Sequence, residues 1–359
     1  LRENLISYTL KTKDMPFEVR IATKSDVSEW NELVSKSRYG TLFHTWDWLR
    51  LMEKYSTKKF VGKRCKSKFY PLILYEDSNL IGIFPIFRYR NLSAKIVLSP
   101  PAGVEILYLG PVILLDENMK NYKKELRLMQ FFKVIDEFIK AEIDPNVALF
   151  HLSPGLIDFR PLAWVGYDVT LRSTYVLNLR SGLGKIWDNL HKSVRGCIKK
   201  SVDAGIKVEE GSERELDHIY SLLKARNRIH TPREYVREVY RKFRNNVKIF
   251  IAKRNGDDLT GIVTICYKGK VSFWIGLPKP SLSGISPNEM VLWESIKWAC
   301  ESGYCYYEIM GADNPSLFPF KGKFNADLVP YLSARKYSPP LIKIIQVIYR
   351  SFRPRYQVI

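Results

Sequence analysis

Two lysines set among aromatics, Lys321 and Lys323 in the run Ser316-Leu-Phe-Pro-Phe-Lys-Gly-Lys-Phe-Asn325, are the side chains best placed by type and context to do chemistry. They follow a strand-like stretch, Tyr304-Cys-Tyr-Tyr-Glu-Ile-Met310. Open α/β sheets place their ligands beyond the carboxyl ends of strands, and a lysine there can meet an anion or a developing oxyanion. Phe320 and Phe324 read as core anchors. Lys321 is expected to hold an acyl carbonyl, a phosphate or a terminal adenosine, with Lys323 as a second substrate contact. Glu308 and Asp313 are the carboxylates nearest to this loop in sequence. Either is a candidate to accept the proton of an attacking amine. Tyr306 and Tyr307 alternate faces on the strand, so one of them should face the cleft; Tyr307 is carried as a substrate-binding candidate.

A second group is cationic. Over one expected helix, about residues 183–204, Ile186, Leu190, Val194 and Cys197 form an apolar stripe, and Lys185, Lys192, Arg195 and Lys199 a basic one. A basic stripe beside a cleft can grip phosphates; the plainer reading is a solvated face. Arg233, Arg237, Arg241 and Arg244 make a second basic face, open to the same two readings. Trp46 and Trp48 read as core or, for Trp46, as a substrate platform.

The bulk of the sequence must supply the frame for these groups. Its 359 residues suit about two domains. With 46% hydrophobic and 13% aromatic residues, packed cores are expected rather than disorder. The formal charge of +20, from 57 Lys+Arg against 37 Asp+Glu, points to anionic partners: nucleic acid, lipid headgroups or phosphorylated substrates. Five scattered cysteines (Cys65, Cys197, Cys266, Cys300, Cys305) fit a reducing, cytoplasmic setting and show no zinc spacing. The histidines, at 44, 151, 191, 218 and 230, lie apart, so no metal is expected. No apolar run reaches the roughly 18 residues of a membrane span. Residues 1–16 read as a tail. Residues 339–359 mix a strongly apolar stretch with basic residues, which suits either a peripheral contact with an anionic membrane or packing back onto the first half.

The elements recur in the same order twice. Helices are expected at about 25–37, 45–54 and 122–143, with strands at 19–21, 70–75, 80–89 and 147–152. The second half repeats this with strands at 174–179, 206–209, 247–252, 260–267, 271–276 and 304–310. Its helices fall at 183–204, 213–229, 232–243 and 287–303. Asn255-Gly256 is a hairpin signal. A strand, two helices, three antiparallel strands, a helix and a strand form the order of a GNAT-type acyltransferase domain. The expected fold is therefore α/β, with two tandem GNAT-like domains at 17–165 and 166–338. Each would be a mixed, mainly antiparallel sheet flanked by helices, the second holding the acyl-transfer site.

Ordered motifs sharpen this reading. Trp187-Asp-Asn-Leu-His-Lys-Ser-Val-Arg-Gly-Cys-Ile-Lys-Lys200 leads into Ala204-Gly205-Ile-Lys-Val-Glu209. Later come Ser286-Pro-Asn-Glu-Met-Val-Leu-Trp-Glu-Ser-Ile-Lys-Trp-Ala299, Tyr307-Glu-Ile-Met-Gly311 and Phe320-Lys-Gly-Lys-Phe324. Together with Thr41-Leu-Phe-His-Thr-Trp-Asp-Trp48, this set resembles the FemAB, or peptidyltransferase-like, branch of the GNAT superfamily over about residues 17–335. The resemblance implies acyl transfer onto an amine, with members that move amino acids from aminoacyl-tRNA to cell-wall precursors. It also implies Arg195 as a contact to an acceptor phosphate. The chain departs from some cell-wall members in having no room for their long helical hairpin in the second domain.

Acyl transfer to an amine requires a neutral amine, a held carbonyl and stabilisation of a tetrahedral oxyanion. Acetyl-CoA enzymes of this superfamily usually present an Arg/Gln-x-x-Gly-x-Gly/Ala turn whose amides hold pyrophosphate. Here that region, Gly276-Leu-Pro-Lys-Pro-Ser-Leu-Ser-Gly284, is proline-rich and lacks it. The leading expectation is an N-acyltransferase that uses aminoacyl-tRNA on a phosphorylated or lipid-linked envelope precursor. Acyl-CoA-dependent N-acetylation of an amino sugar, or a nucleic-acid-binding module without chemistry, are the alternatives.

Overall fold

The structure, a computed structural model, describes residues 7–11, 16–60, 63–90, 94–278 and 284–337. Two-residue turns whose residues take positive φ close its hairpins: Asp77-Ser78, Asn255-Gly256 and Lys268-Gly269. Such turns match the twist of the strands they join. The first half runs β1 (Ser7–Lys11), β2 (Pro16–Ile21), α1 (Val27–Lys36), α2 (Trp46–Tyr55), a small hairpin of β3 (Thr57–Phe60) and β4 (Lys63–Lys66), β5 (Lys68–Glu76), β6 (Asn79–Arg90), β7 (Lys95–Ser99), β8 (Val112–Ile113), α3 (Asn121–Phe138), β9 (Val147–His151) and α4 (Arg160–Trp164). The second runs β10 (Asp168–Asn178), α5 (Leu183–Asn189), α6 (Lys192–Asp203), β11 (Lys207–Glu210), α7 (Glu213–Ala225), α8 (Arg233–Lys242), β12 (Val247–Arg254), β13 (Asp257–Tyr267), β14 (Lys270–Gly276), α9 (Pro287–Glu301), β15 (Tyr306–Ile309), α10 (Phe318–Lys321) and β16 (Asp327–Tyr337).

The strands form one continuous sheet in the order β1-β2-β5-β6-β7-β9-β16-β10-β15-β14-β13-β12-β11. Apart from β1, that order is a palindrome of roles. β2, β5, β6, β7 and β9 on one side correspond to β11, β12, β13, β14 and β15 on the other, and each side has a single parallel pairing, β7 with β9 and β14 with β15. The two central strands are exchanged. β16, last in the chain, pairs with β9 of the first half, whereas β10 pairs with β15 of the second, and the two pair antiparallel with each other. The tandem α/β architecture expected from the sequence is present, with both halves fused through this exchange. The expected division at 165/166 falls in the turn between α4 and β10.

Side-chain alternation divides the buried residues into two cores. One lies between the second half of the sheet and α5, α6 and α9, and holds Leu177, Ile198, Val271, Ile296, Tyr307, Ile309 and Phe324. The other runs from the first half into α7 and α8. Trp48 joins the halves in that second core. It is fully buried, packs on Phe243 and Trp274, and donates to the Tyr235 hydroxyl at 2.8 Å.

Several sequence expectations change. The single helix at 183–204 is two helices, because Leu190 is extended and His191 caps α6, its ring nitrogen accepting from the Ser193 amide. The helix expected at 122–143 is α-helical only to Phe138 and closes through one wider turn, Ile139–Ile143. Residues 7–11 of the expected tail form β1, paired antiparallel with β2, and β3, β4, β7, β8 and β16 were not foreseen either. β7 is only five residues long, and Pro330 within β16 argues against a strand from sequence. Residues 339–359 lie outside the described residues, as does 279–283 within the proline-rich segment. Among the described residues no helix is long and apolar enough to cross a membrane.

Candidate active site

β14 and β15 pair through only three registered positions, Lys270↔Tyr306, Val271↔Tyr307 and Ser272↔Glu308. Beyond Ser272 and Glu308 the strands part. β14 stays with β13 as far as Ile262↔Gly276, and β15 ends at Ile309. The result is a fork that opens at the carboxyl ends of two parallel strands. Its counterpart in the first half, between β7 and β9, is filled by the chain itself. Leu109 bridges Leu152 and donates its amide to the His151 carbonyl at 2.9 Å, and the Gly110 amide donates to Ser99 Oγ at 3.0 Å. Gly110, at φ +70, passes so close that a Cβ there would sit 2.8 Å from Leu152 Cα. Only the second fork is free of main chain among the described residues.

Lys321, the last residue of α10, occupies that second fork. Its ammonium donates to the Met310 carbonyl, just past β15, and lies 4.7 Å from the ring centre of Phe273, the first β14 residue past the last pair. The side chain is 8% exposed and has no carboxylate partner among the described residues. Burial therefore lowers its pKa to about 8. Phe324 is fully buried and Phe320 half-buried, stacked edge to face, so the phenylalanines anchor the lysine loop as expected. Gly311, at φ +87, shapes the turn that aims the Met310 carbonyl, and a Cβ there would come 3.4 Å from Lys321 Nζ. We expect Gly311→Ala to cost about 1 kcal/mol of stability through this left-handed backbone and to cut kcat about tenfold or more by moving the lysine. Chemical denaturation alongside steady-state rates checks both.

Glu308 stands at the apex of the fork and is fully buried. Its carboxylate accepts from Tyr108 Oη at 2.6 Å, Lys270 Nζ at 2.7 Å, Thr174 Oγ1 at 2.8 Å and Ser272 Oγ at 3.2 Å. Burial alone would raise its pKa; the Lys270 ammonium and the hydroxyl donors outweigh burial and hold it below the usual glutamate value. Four donors saturate a carboxylate, so the expectation that Glu308 takes a proton from substrate is not met. It fixes β10, β14 and the first-half Tyr108 at the point where the fork opens. Tyr307 is also corrected. It is fully buried and hydrogen-bonded to Ser295 at 2.7 Å, with no surface to offer a ligand. Tyr306 is the exposed member of the pair and carries the Arg180 guanidinium. Trp46 is half-buried, edge-on to Trp30 and Phe69 in the first half, which is packing rather than a platform.

Asp313 is exposed just beyond the fork. It accepts from the Ser173 amide at 2.9 Å and the Tyr331 hydroxyl at 3.1 Å, and lies 3.6 Å from Arg172. These donors orient the carboxylate while leaving it open to solvent.

The cationic groups divide. Arg195 turns its Nη1 onto the carbonyls of Trp187, Asp188 and Leu190, closing the end of α5, so at least that nitrogen is engaged in the fold. Lys185, Lys192, Lys199 and Lys200 are exposed and ion-paired with nothing among the described residues, and so is Lys323. The Lys323 carbonyl accepts from the His191 amide at 3.0 Å, which ties the start of α6 to the lysine loop. The second basic face is mostly neutralised: Arg237 pairs with Asp217 and Glu234, and Arg241 with Glu213. Arg233 and Arg244 donate to Ser221 and Tyr240. Glu238 reaches across to Lys54 and Tyr55 of the first half. The acids that neutralise this face come mainly from α7, which the local sequence did not show. His44 is fully buried and His151 half-buried, and loss of solvent lowers both to about 4. Hollows around Glu76, Tyr122 and Arg127 and beside Lys133 and Trp164 touch none of these groups. Among the described residues no cluster of His, Cys, Asp or Glu could hold a metal.

Sequence reasoning missed Tyr108, Lys270 and the Met310 carbonyl. The first two lie on elements far from the motif in sequence, and a carbonyl leaves no mark on it.

Comparison with known proteins agrees with this fold. Residues 189–322 match the family described as the acetyltransferase (GNAT) domain. The fold is similar to the crystal structure of FemX, at a TM-score of 0.66 and 12% identity over 91% of this chain and 99% of that one. It also resembles the C-terminal domain of a protein described as a lysylphosphatidylglycerol synthetase from Agrobacterium fabrum, with a TM-score of 0.50, 12% identity, and 90% and 94% of the two chains covered. A tandem GNAT protein from the clavulanic acid biosynthesis pathway gives a TM-score of 0.52 and 9% identity, with 94% and 99% covered. No curated protein matches the sequence. Residues 189–322 thus match the GNAT acyltransferase domain, within a fold similar to those of FemX and of a tandem GNAT protein.

Proposed function

We propose that this acyltransferase moves an aminoacyl group from aminoacyl-tRNA to an amine of a phosphorylated or lipid-linked cell-envelope precursor. The observation that carries the reading is the buried ammonium of Lys321 in the mouth of the fork. A side chain that closes the gap between β14 and β15 leaves less room for the extended arm of an acyl-CoA, and it places a positive charge where a carbonyl oxygen becomes negative. The acceptor's neutral amine attacks the ester carbonyl, forming the C–N bond. The carbonyl electron pair moves onto oxygen beside Lys321, which is worth most in a dry site. Collapse breaks the bond to the ribose oxygen. The proton leaving the nitrogen passes through Asp313 to the departing hydroxyl.

The unpaired lysines of α6, linked to the same loop through His191 and Lys323, supply a cationic approach for the phosphates of the tRNA acceptor end. Arg195 retains Nε and Nη2 for such a contact. FemX and the domain described as a lysylphosphatidylglycerol synthetase share this fold, which supports an envelope acceptor. The test is transfer of labelled amino acid from a charged tRNA pool to a non-protein acceptor. A Lys192→Ala/Lys199→Ala/Lys200→Ala variant should raise the KM for tRNA. It should also lower the slope of log affinity against log salt by about 2 to 3, near one for each phosphate no longer neutralised. An unchanged slope would remove the ridge from the donor site.

A further inference from the structure

The face of the two exchanged central strands that carries Tyr331 holds a second group of cations. Tyr331, Ser333 and Arg335 share that face of β16, with Arg172, Thr170 and Asp168 opposite them on β10 and His151 opposite Ser333 on β9. Directly opposed side chains on one face stand about 5 Å apart, so Arg172, Arg335 and His151 surround the Ser333–Thr170 pair. Their charge is not matched. Arg172 has one carboxylate, Asp313 at 3.6 Å, and Asp313 is already shared with the Ser173 amide and the Tyr331 hydroxyl. Arg335 donates to the Tyr337 hydroxyl and makes no ion pair among the described residues, Asp168 across from it included. Two nitrogens that can donate, Arg172 Nε and His151 Nδ1, are buried without a hydrogen-bond partner among the described residues. Buried donors without acceptors are costly unless something fills the place. Arg172, Arg335 and His151 themselves remain partly exposed.

We infer that Arg172, Arg335 and His151 form a seat for a phosphate-type oxyanion of the acceptor, on the sheet face opposite the α6 ridge. The proposal rests on the reading of a phosphorylated acceptor above. Two guanidiniums around a small polar floor suit the bidentate capture of phosphate oxygens. The opposite-face placement follows from alternation. Leu177 and Tyr307 point into the core under α6 and α9, whereas Thr174 and Glu308 meet Tyr108 on the other side, the side of Arg172. Asp313 joins the seat to the fork: it touches Arg172 and follows Met310, the Lys321 acceptor, by three residues. A donor arm held on one face and an acceptor phosphate on the other would meet at the fork.

The test is an imidazole NMR titration of the full chain with inorganic pyrophosphate, the His151 signal being assigned by its loss in His151→Gln. His151 now titrates at about 4, lowered by burial and by the charges of Arg172 and Arg335, with Asp313 opposing them. Pyrophosphate should shift its resonance and raise that pKa. Arg172→Gln and Arg335→Gln should each weaken the effect about tenfold or more, and Lys192→Ala/Lys199→Ala should leave it unchanged. A His151 signal that ignores pyrophosphate, or responds in both arginine variants as it does in the wild-type chain, overturns the seat. Competition by uncharged tRNA for the His151 response would give the site to the donor and overturn its assignment to the acceptor. The titration uses neither charged tRNA nor acceptor, so its result stands whether or not the transfer reaction succeeds.

Discussion

Replacing Lys321 by Ala should lower kcat by about 100- to 1000-fold, the loss seen when one donor to a developing oxyanion is removed, while the fold persists. Persistence follows from the cost of burying the ammonium. Its pKa falls from 10.5 to about 8 on folding. At 1.36 kcal/mol per pH unit, this corresponds to about 3 kcal/mol held against the native state at pH 7. An apolar side chain of similar length removes that burden, although the Met310 carbonyl then loses a partner at about 1–2 kcal/mol. Lys321→Met should therefore be inactive yet about 1–2 kcal/mol more stable at pH 7. The sign of the pH dependence follows from linkage. Between pH 8 and 10.5 the unfolded chain binds the proton that the folded chain has released, so wild-type stability rises with pH across that window, and the rise disappears in Lys321→Met. Activity behaves oppositely on this limb: catalysis needs the ammonium, so kcat should decline as pH passes about 8. Denaturant midpoints and a pH–rate profile for both proteins check the argument.

Removing the carboxylate of Glu308 should have the largest structural effect in the molecule. Glu308→Ala leaves the partly exposed Lys270 ammonium and three hydroxyls facing a hole, and each buried hydroxyl left unsatisfied costs about 1–3 kcal/mol. Because Tyr108 reaches Glu308 from the first half, the loss loosens the junction of the halves as well as the fork apex. Glu308→Gln keeps the shape and some acceptors and should cost less. The folded pKa of Glu308 lies below its usual value. Its contribution is then complete above about pH 4.5 and is lost as pH falls below that toward the folded value. Unfolding midpoints of the two variants at pH 7 and pH 4 measure this. Equal stability of Glu308→Ala and wild type would contradict a clamp at the fork.

How far the sequence reached can be seen in particular residues. Lys321 was legible because an aromatic-flanked lysine after an apolar strand has few structural uses, and Phe320 and Phe324 were legible as its anchors. Most strands, and the helices outside 183–204 and 122–143, followed from periodicity, and Asn255-Gly256 closed its hairpin as the dipeptide demands. Glu308 and Tyr307 were misjudged for one reason. Alternation assigns them to opposite faces, yet both faces of β15 are covered, one by α9 and the other by the Tyr108 segment. That segment comes from the first half, and only the fold brings it there. The exchange of β10 and β16 was out of reach for the same reason: pairing between distant strands leaves no local pattern. Once β16 is known, its alternation of Tyr331, Ser333, Arg335 and Tyr337 with Leu332 and Ala334 is plain. Pro330 concealed it, and with it the charges of the central seat. The arginines of α8 read as a free basic face because their partners, Asp217 and Glu213, sit on the neighbouring helix.

The most direct measurement offers the wild-type protein charged tRNA and acetyl-CoA in parallel, each with its acyl group labelled, and an envelope-precursor extract as acceptor. Label moving from tRNA to a non-protein amine, lost in Lys321→Ala and absent with acetyl-CoA, is the predicted result. Efficient transfer from acetyl-CoA with the tRNA left charged would contradict the account, because a fork occupied by Lys321 would then be admitting the arm that it is argued to exclude.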